Sequence, residues 1–93
     1  MDPRIESGKI LVEARVHELS RQHGIVAQTL TWEIISSPSL EEGIALELSM
    51  RLGEALRGIP FFDVELQEVE RDVNVQALLI ERLLLFMERD NRA

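Results

Sequence analysis

The stretch Val75–Met87, with the sequence VQALLIERLLLFM, is the densest apolar segment of this 93-residue chain, and the other segments must be arranged to cover it. Asp72 and Asn74 lie just ahead of it, and both residue types are favoured at helix N-caps. A helix over residues 74–90 is therefore predicted. At about 100° per residue, this helix gathers five apolar side chains on a core face: Leu79, Ile80, Leu83, Phe86 and Met87.

Two leucines fall on the opposite, polar side of this helix. Leu78 and Leu85 are seven residues apart and lie among charged residues. A spacing of seven is typical of a helix–helix packing seam, although single surface leucines are also common. We interpret the pair as a second contact surface. The charged neighbours are Glu81, Arg82, Glu88 and Arg89.

A first helix is predicted over residues 3–23. Asp2 is a suitable N-cap, Pro3 suits the first helical position, and Gly24 is a good residue to follow the last turn. Gly8 lies at the edge of the apolar stripe, where it would allow close packing. The stripe contains Ile5, Val12, Val16 and Leu19.

Residues 25–35 and 61–70 show the alternation of apolar and polar side chains that predicts half-buried strands. The first strand is also rich in β-branched and aromatic residues, which favour sheets. The apolar faces carry Leu30, Trp32 and Ile34 in the first strand, and Phe62, Val64 and Leu66 in the second.

Residues 39–57 fit two structures. Apolar residues alternate through 44–52, which indicates a strand, yet the residue types (Leu, Glu, Ala, Met, Arg) favour a helix. Ser39 and Glu42 have the spacing of a capping box, and Gly58 is a stop signal. We predict a helix, with a strand over 44–52 as the alternative. That strand would make the sheet three-stranded and reduce the helices to two.

The predicted order α-β-α-β-α describes a small two-layer α+β domain that occupies residues 1–93 as a single unit. Its centre is a βαβ unit over residues 25–70, with parallel strands and a right-handed crossover. Two strands form a sheet too narrow to cover three helices, and both edges would be open. The fold is therefore expected to be completed by dimerisation.

A second apolar patch supports the same expectation. In a helix over 39–57, Leu46 and Met50 lie on the back, away from the core face. Together with Leu78 and Leu85 they are the candidate interface residues of a homodimer, which would extend the sheet or pair helices across a two-fold axis.

The distribution of charge disfavours two classes of binding partner, nucleic acids and anionic membranes. The net charge is −7, and residues 59–72 alone carry −4, whereas the basic residues form no cluster. This balance disfavours nucleic acid and anionic membranes, because both bind clustered Lys and Arg. A membrane span is not expected, because the longest apolar run is shorter than about 20 residues. Without cysteine there is no disulfide or thiolate site, and a cytoplasmic protein is expected.

Three carboxylates are predicted on the polar face of the sheet. Glu33, Asp63 and Glu65 would point the same way if the two strands were neighbours. Carboxylate oxygens bind Mg²⁺ or Ca²⁺ and can act as general bases. A solvent-facing sheet has the same composition, so the three are weak candidates and no metal or cofactor is assigned.

The sequence contains no catalytic motif, phosphate-binding loop or metal-ligand motif. We therefore predict a small acidic non-enzymatic protein-interaction module, such as an adaptor, regulator or assembly factor, that acts as a homo-oligomer and could bind another protein. The alternative is a small ligand- or cation-binding protein, or an enzyme, with a site formed between subunits on the polar sheet face.

Overall fold

The computed structural model describes residues 3–35 and 44–91, with side chains as far as residue 89. Three antiparallel strands form one sheet in the order β1-β2-β3, so β2 is central. Helices cover one face of this sheet, and their apolar side chains form a single core with it. The elements are α1 (Pro3–His23), β1 (Ala27–Ile35), β2 (Ala45–Leu52), β3 (Ala55–Phe62), α2 (Asp63–Glu68) and α3 (Val73–Asn91).

The α+β class is confirmed, but the order of the elements differs from the prediction. The chain runs α-β-β-β-α-α, so the βαβ unit with parallel strands over 25–70 is wrong. No helix among the described residues is long and apolar enough to cross a bilayer.

The central strand β2 occupies part of the segment for which we predicted a helix. That prediction is wrong for 45–52, where the strand alternative is correct, and also for 55–57, which belong to β3. Neighbours on both sides pair with the backbone of β2, and strict alternation places every second side chain in the core. This context outweighs the helix propensity of the residues. The buried residues are Leu46, Leu48, Met50 and Leu52. The predicted capping box of Ser39 and Glu42 lies outside the described residues.

Leu46 and Met50 therefore do not form an exposed patch. Their side chains are 1% and 0% exposed, because in a strand they share a face with Leu48 instead of lying behind a helix. The expectation that they belong to a homodimer interface is corrected: both belong to the core of one subunit.

A two-residue hairpin connects β2 to β3. Leu52 pairs with Ala55 across Gly53 and Glu54, and Gly53 has a φ of +64°. Glycine in the left-handed region at the first turn position, followed by a residue with negative φ, is the arrangement of a type II′ turn. This turn matches the twist of the strands that it connects.

The predicted strand over 61–70 is wrong for most of its length, because β3 spans Ala55–Phe62 and only residues 61 and 62 belong to it. The chain leaves the sheet at Phe62, and the helix α2 begins at Asp63. Leu66 and Val69 are buried, whereas Val64 is exposed. Their spacing of three is that of a helix, so the alternation of residues 62, 64 and 66 misled the prediction.

The two long helices are confirmed. The predicted stripe of α1 is buried, and Gly24 follows α1 with a φ of +64°. Asp72 caps α3, because its Oδ1 accepts the backbone N–H of Asn74 at 2.9 Å. In α3, Leu79, Leu83 and Met87 are buried, while Ile80 and Phe86 are half-buried. The capping role predicted for Asp2 lies outside the described residues.

Gly8 allows close packing, as the sequence predicted, and the element that it contacts is α2. A Cβ atom placed there would overlap the backbone carbonyl oxygen of Leu66 and lie 2.8 Å from its carbonyl carbon. The obstacle is backbone, which cannot move away as a flexible side chain can.

The substitution Gly8→Ala is expected to lower the free energy of unfolding by about 1–3 kcal/mol through overpacking, although alanine favours helices. Ser7→Ala, one residue away in α1, should change it by less than about 0.5 kcal/mol. Urea unfolding followed by circular dichroism measures both. Equal stability of the two variants would contradict the close contact.

A pair of chemically identical substitutions tests the strand assignment of β2. Leu46→Ala is expected to lower the free energy of unfolding by about 2–5 kcal/mol, because it leaves a cavity in the core. Leu78→Ala should cost less than about 0.5 kcal/mol in the monomer, because that side chain is 62% exposed. Urea unfolding at low protein concentration compares them, and a small effect of Leu46→Ala would rule out its place in the core.

Candidate interaction surface

The outer face of α3 exposes two leucines. Leu78 is 62% exposed and Leu85 is 60% exposed, so both lie outside the core of this subunit as the sequence predicted. Whether they contact a neighbour stays a prediction at this point. Each is a large apolar side chain held on a rigid helix, which is the presentation expected of an interface anchor.

These leucines are part of a larger apolar surface, which we call the α3–β3 strip. It combines side chains of α3 with others from the end of β3 and the first turn of α2. Contiguous exposed apolar surfaces of this kind mark sites of interaction more often than scattered residues do. The strip consists of Pro60, Phe62, Val64, Leu78, Leu85 and Phe86.

Three shallow depressions follow the strip, with volumes of about 460, 320 and 240 Å³. Pro60 and Arg82 line the first two, and Glu65 lines the second and third. The depressions therefore meet at Arg82 and Glu65, which divide the strip into the part around Leu85 and the part around Leu78.

An ion pair joins α2 to α3 at this meeting point. Arg82 Nη2 lies 2.5 Å from Glu65 Oε2, and Arg82 Nη1 lies 3.2 Å from Glu65 Oε1. The fork geometry of two parallel bonds is the strongest form of the arginine–carboxylate contact. Nη1 also donates to the backbone oxygen of Pro60 at 3.5 Å, and the guanidinium lies 5.5 Å from the centre of the Phe61 ring.

Glu65 has a second role as the capping residue of α2. Its Oε1 accepts the backbone N–H of Phe62 at 2.9 Å, as in the reciprocal half of a capping box. Burial by itself would raise the pKa of the Glu65 carboxyl. Hydrogen bonds from the Arg82 side chain and the Phe62 backbone, together with the Arg82 charge, outweigh burial and lower that pKa.

The lowered pKa of Glu65 predicts a pH dependence of stability. The contribution of its carboxylate is complete above the unfolded pKa of about 4.3 and is lost as the pH falls through the lower folded pKa. Glu65→Gln should therefore lower the free energy of unfolding by about 1 kcal/mol at pH 7. This difference should shrink as the pH falls below about 4.

Glu68→Gln is the matched control, because Glu68 lies in the same helix and pairs with Arg71 at 2.9 Å on an exposed surface. Its effect should stay below about 0.5 kcal/mol at every pH. Urea unfolding at a series of pH values measures both variants. A difference between wild type and Glu65→Gln that grows in acid would contradict the structural role of this carboxylate.

The three candidate cation ligands do not come together. Glu33 lies on β1, at one side of the sheet, whereas Asp63 and Glu65 belong to α2 beyond β3. Glu65 faces Arg82, and Asp63 Oδ1 accepts the backbone N–H of Val64 at 2.8 Å. The predicted shared face fails because residues 63–68 are helical. Across residues 3–35 and 44–91, no three His, Cys, Asp or Glu side chains are grouped to hold a metal ion.

The face of the sheet opposite the helices has no covering element among the described residues. Glu33 and Glu47 are directly opposite each other on this face, as are Ser49 and Gly58. The Glu47 carboxylate turns towards β3, where it lies over Gly58 and accepts a hydrogen bond from Ser49 Oγ at 3.4 Å. The glutamates are two of its charged residues, and Arg51 is a third.

Sequence reasoning missed the Glu65–Arg82 pair and the exposure of Phe62 and Val64. The pair joins residues 17 positions apart in different elements. Local sequence spacing therefore cannot predict this contact. A weak signal for the helix existed. Glu65 is the third residue after Phe62, and a glutamate at that position of a helix commonly accepts the backbone N–H of the N-cap residue.

Comparisons of the chain with protein-family models, with curated proteins and with solved structures give no match.

Proposed function

We propose that this domain is a small non-enzymatic protein-interaction module that acts as a homodimer, with the α3–β3 strip as its contact surface. The observation that supports it is the exposure of Leu78 and Leu85 on one face of α3, beside further exposed apolar groups of the same strip. In a monomer these side chains stay in water. In a dimer their burial would contribute at most about 1.5–3 kcal/mol each, the value for a wholly exposed side chain that becomes fully buried.

The spacing of the two leucines suits a two-fold axis. Leu78 and Leu85 are about 10 Å apart along the helix. If two copies of α3 cross antiparallel, Leu78 of each copy meets Leu85 of the other. A two-fold interface is self-complementary in this way, because each contact occurs twice.

Charge on the same face of α3 fits this arrangement. In the antiparallel pairing, Glu81 of one copy lies opposite Arg82 of the other, whose guanidinium also holds Glu65. The uncharged Asn74 lies opposite Arg89. Glu81 and Arg89 are both exposed, and neither makes an ion pair with another described residue. Opposite charges across the axis fix the register and disfavour a parallel pairing, which would oppose like charges.

In the cell, the proposal describes an adaptor, regulator or assembly factor in the cytoplasm that can also hold another protein. The net charge of −7 keeps such a domain dispersed. The ligand-binding alternative has no observation in its favour among the described residues, because Glu33 lies far from Asp63 and Glu65.

Size exclusion with light scattering tests the proposal. Wild type is expected to be a dimer at micromolar concentration. Leu78→Glu with Leu85→Glu should be a folded monomer, because it places four carboxylates in the two-fold contact. Ile10→Glu is the matched control, because Ile10 is 67% exposed on α1 and lies outside the strip.

The control should remain a dimer, and circular dichroism should show equal folding of the variants. A monomeric wild type would contradict the proposal, and so would a double variant that remains dimeric.

A further inference from the structure

The three-stranded sheet has two edges, and they differ in how their backbone groups are used. β1 and β3 are the outer strands. In an antiparallel ladder, alternate residues of an outer strand bond to the neighbour, and the residues between them direct N–H and C=O outward. An outward row without partners is a template for another strand.

The β3 edge is closed by its own surroundings at the end that carries Pro60 and Phe62. The N–H of Asp63 donates to the backbone oxygen of Ile44 at 2.9 Å. Counted in steps of two from this bond, Pro60 and Phe62 direct their backbone groups outward. Proline has no N–H, and the Pro60 oxygen accepts from Arg82. The N–H of Phe62 donates to Glu65. The Glu65–Arg82 pair thus occupies outward groups at Pro60 and Phe62, where proline also removes an N–H. Leu56 and Gly58 also face outward by this count, nearer the hairpin.

The β1 edge has no such protection over Thr31–Ile35. By the same count Trp32 and Ile34 direct N–H and C=O away from β2. No hydrogen bond to these groups occurs within the described parts of the chain. The stretch contains neither proline nor lysine, the residues that commonly blunt an edge. The β-bulge of this strand lies earlier, between Gln28 and Thr31.

The side of this edge that faces the helices is mainly apolar and incompletely covered, and Lys9 Nζ of α1 lies 5.8 Å from the centre of the Trp32 ring. Trp32 packs on Phe61, with ring centres 5.9 Å apart, and is partly buried. Ile34 pairs with the fully buried Leu46 across β2, yet it is 58% exposed. Its exposure shows that the helices do not cover this edge completely. An added strand would therefore pack its own apolar side chains against Trp32 and Ile34.

The other side of the same edge is acidic. Glu33 is exposed between Trp32 and Ile34, whereas its register partner Glu47 on β2 directs its carboxylate towards β3, over Gly58. In the described residues no cation pairs with either carboxylate. A basic side chain on an added strand would lie opposite Glu33 and pair with its carboxylate.

We infer that the β1 edge over Thr31–Ile35 binds an extended segment of another protein by antiparallel strand addition. The segment alternates apolar residues, which lie beside Trp32 and Ile34, with basic residues, which lie beside Glu33. Backbone hydrogen bonds supply the affinity and the alternation supplies the specificity. This surface is separate from the α3–β3 strip, so the inference does not depend on the proposed dimer.

A second copy of this chain fits the edge poorly. The symmetric pairing that uses the outward groups of both Trp32 and Ile34 places Glu33 of one copy directly opposite Glu33 of the other. Like charges in that position are destabilising.

Binding of a designed peptide tests the inference in the Leu78→Glu, Leu85→Glu background, where the proposed dimer contact is absent. The probe is a fluorescein-labelled peptide of alternating lysine and valine, and the readout is fluorescence anisotropy. Glu33→Lys is expected to weaken binding at least about tenfold, and a glutamate–valine peptide should then bind this variant better than its parent. Glu54→Lys, at the hairpin, is the matched control for net charge and should bind as the parent does.

Backbone methylation separates strand addition from simple charge attraction. Methyl groups on the valine amides, which face β1 in the bound peptide, should abolish binding. Methyl groups on the lysine amides, which face away, should leave it unchanged. Ile34→Pro removes an outward N–H while sparing the ladder to β2, and it should weaken binding of the lysine–valine peptide.

Three outcomes would overturn the inference. The first is equal affinity of Glu33→Lys and Glu54→Lys for the lysine–valine peptide. The second is equal binding of the two methylated peptides. The third is a background variant that is still dimeric and becomes monomeric with Ile34→Pro, because a second copy would then occupy the edge.

Discussion

The burial of β2 on one face is the constraint on which the rest of the fold depends. Its alternate side chains form the sheet side of the core, and side chains of α1, α2 and α3 form the opposite side. At about 1.5–3 kcal/mol for each large apolar side chain, this one strand supplies a substantial part of the driving force for folding. Burial of a central strand also requires a partner on each side, because its backbone groups must all be paired. The hairpin to β3 and the return of β1 satisfy that requirement.

The parts of the fold that were predictable from sequence are those whose periodicity and local signals agree. α1 and α3 have long stripes at helical spacing with suitable residues at their ends, and both were placed correctly. β2 failed because its alternation and its helix-forming residue types disagree. Pairing with the neighbouring strands and packing against the helices decide between strand and helix. Neither contact can be read from the residues of this segment alone.

The candidate site was predictable to the same extent. The exposure of Leu78 and Leu85 was predicted from the helical projection of α3. It was confirmed because α3 is a helix, as predicted. Leu46 and Met50 were assigned to the surface because β2 was predicted to be a helix. Assuming a helical instead of a strand period placed both side chains in the wrong environment. The Glu65–Arg82 pair depends on tertiary contacts between elements, so no pattern in the sequence could have indicated it.

The contrast between the two sheet edges has a consequence for how the chain behaves at high concentration. An open edge with the sequence Thr-Trp-Glu-Ile-Ile is the kind of segment that nucleates aggregates, because it is apolar and favours β-structure. Glu33 stands in the middle of that segment as a gatekeeper, since stacking identical strands would stack its charge. The same carboxylate that would select a basic partner therefore also discourages uncontrolled association of the chain with itself.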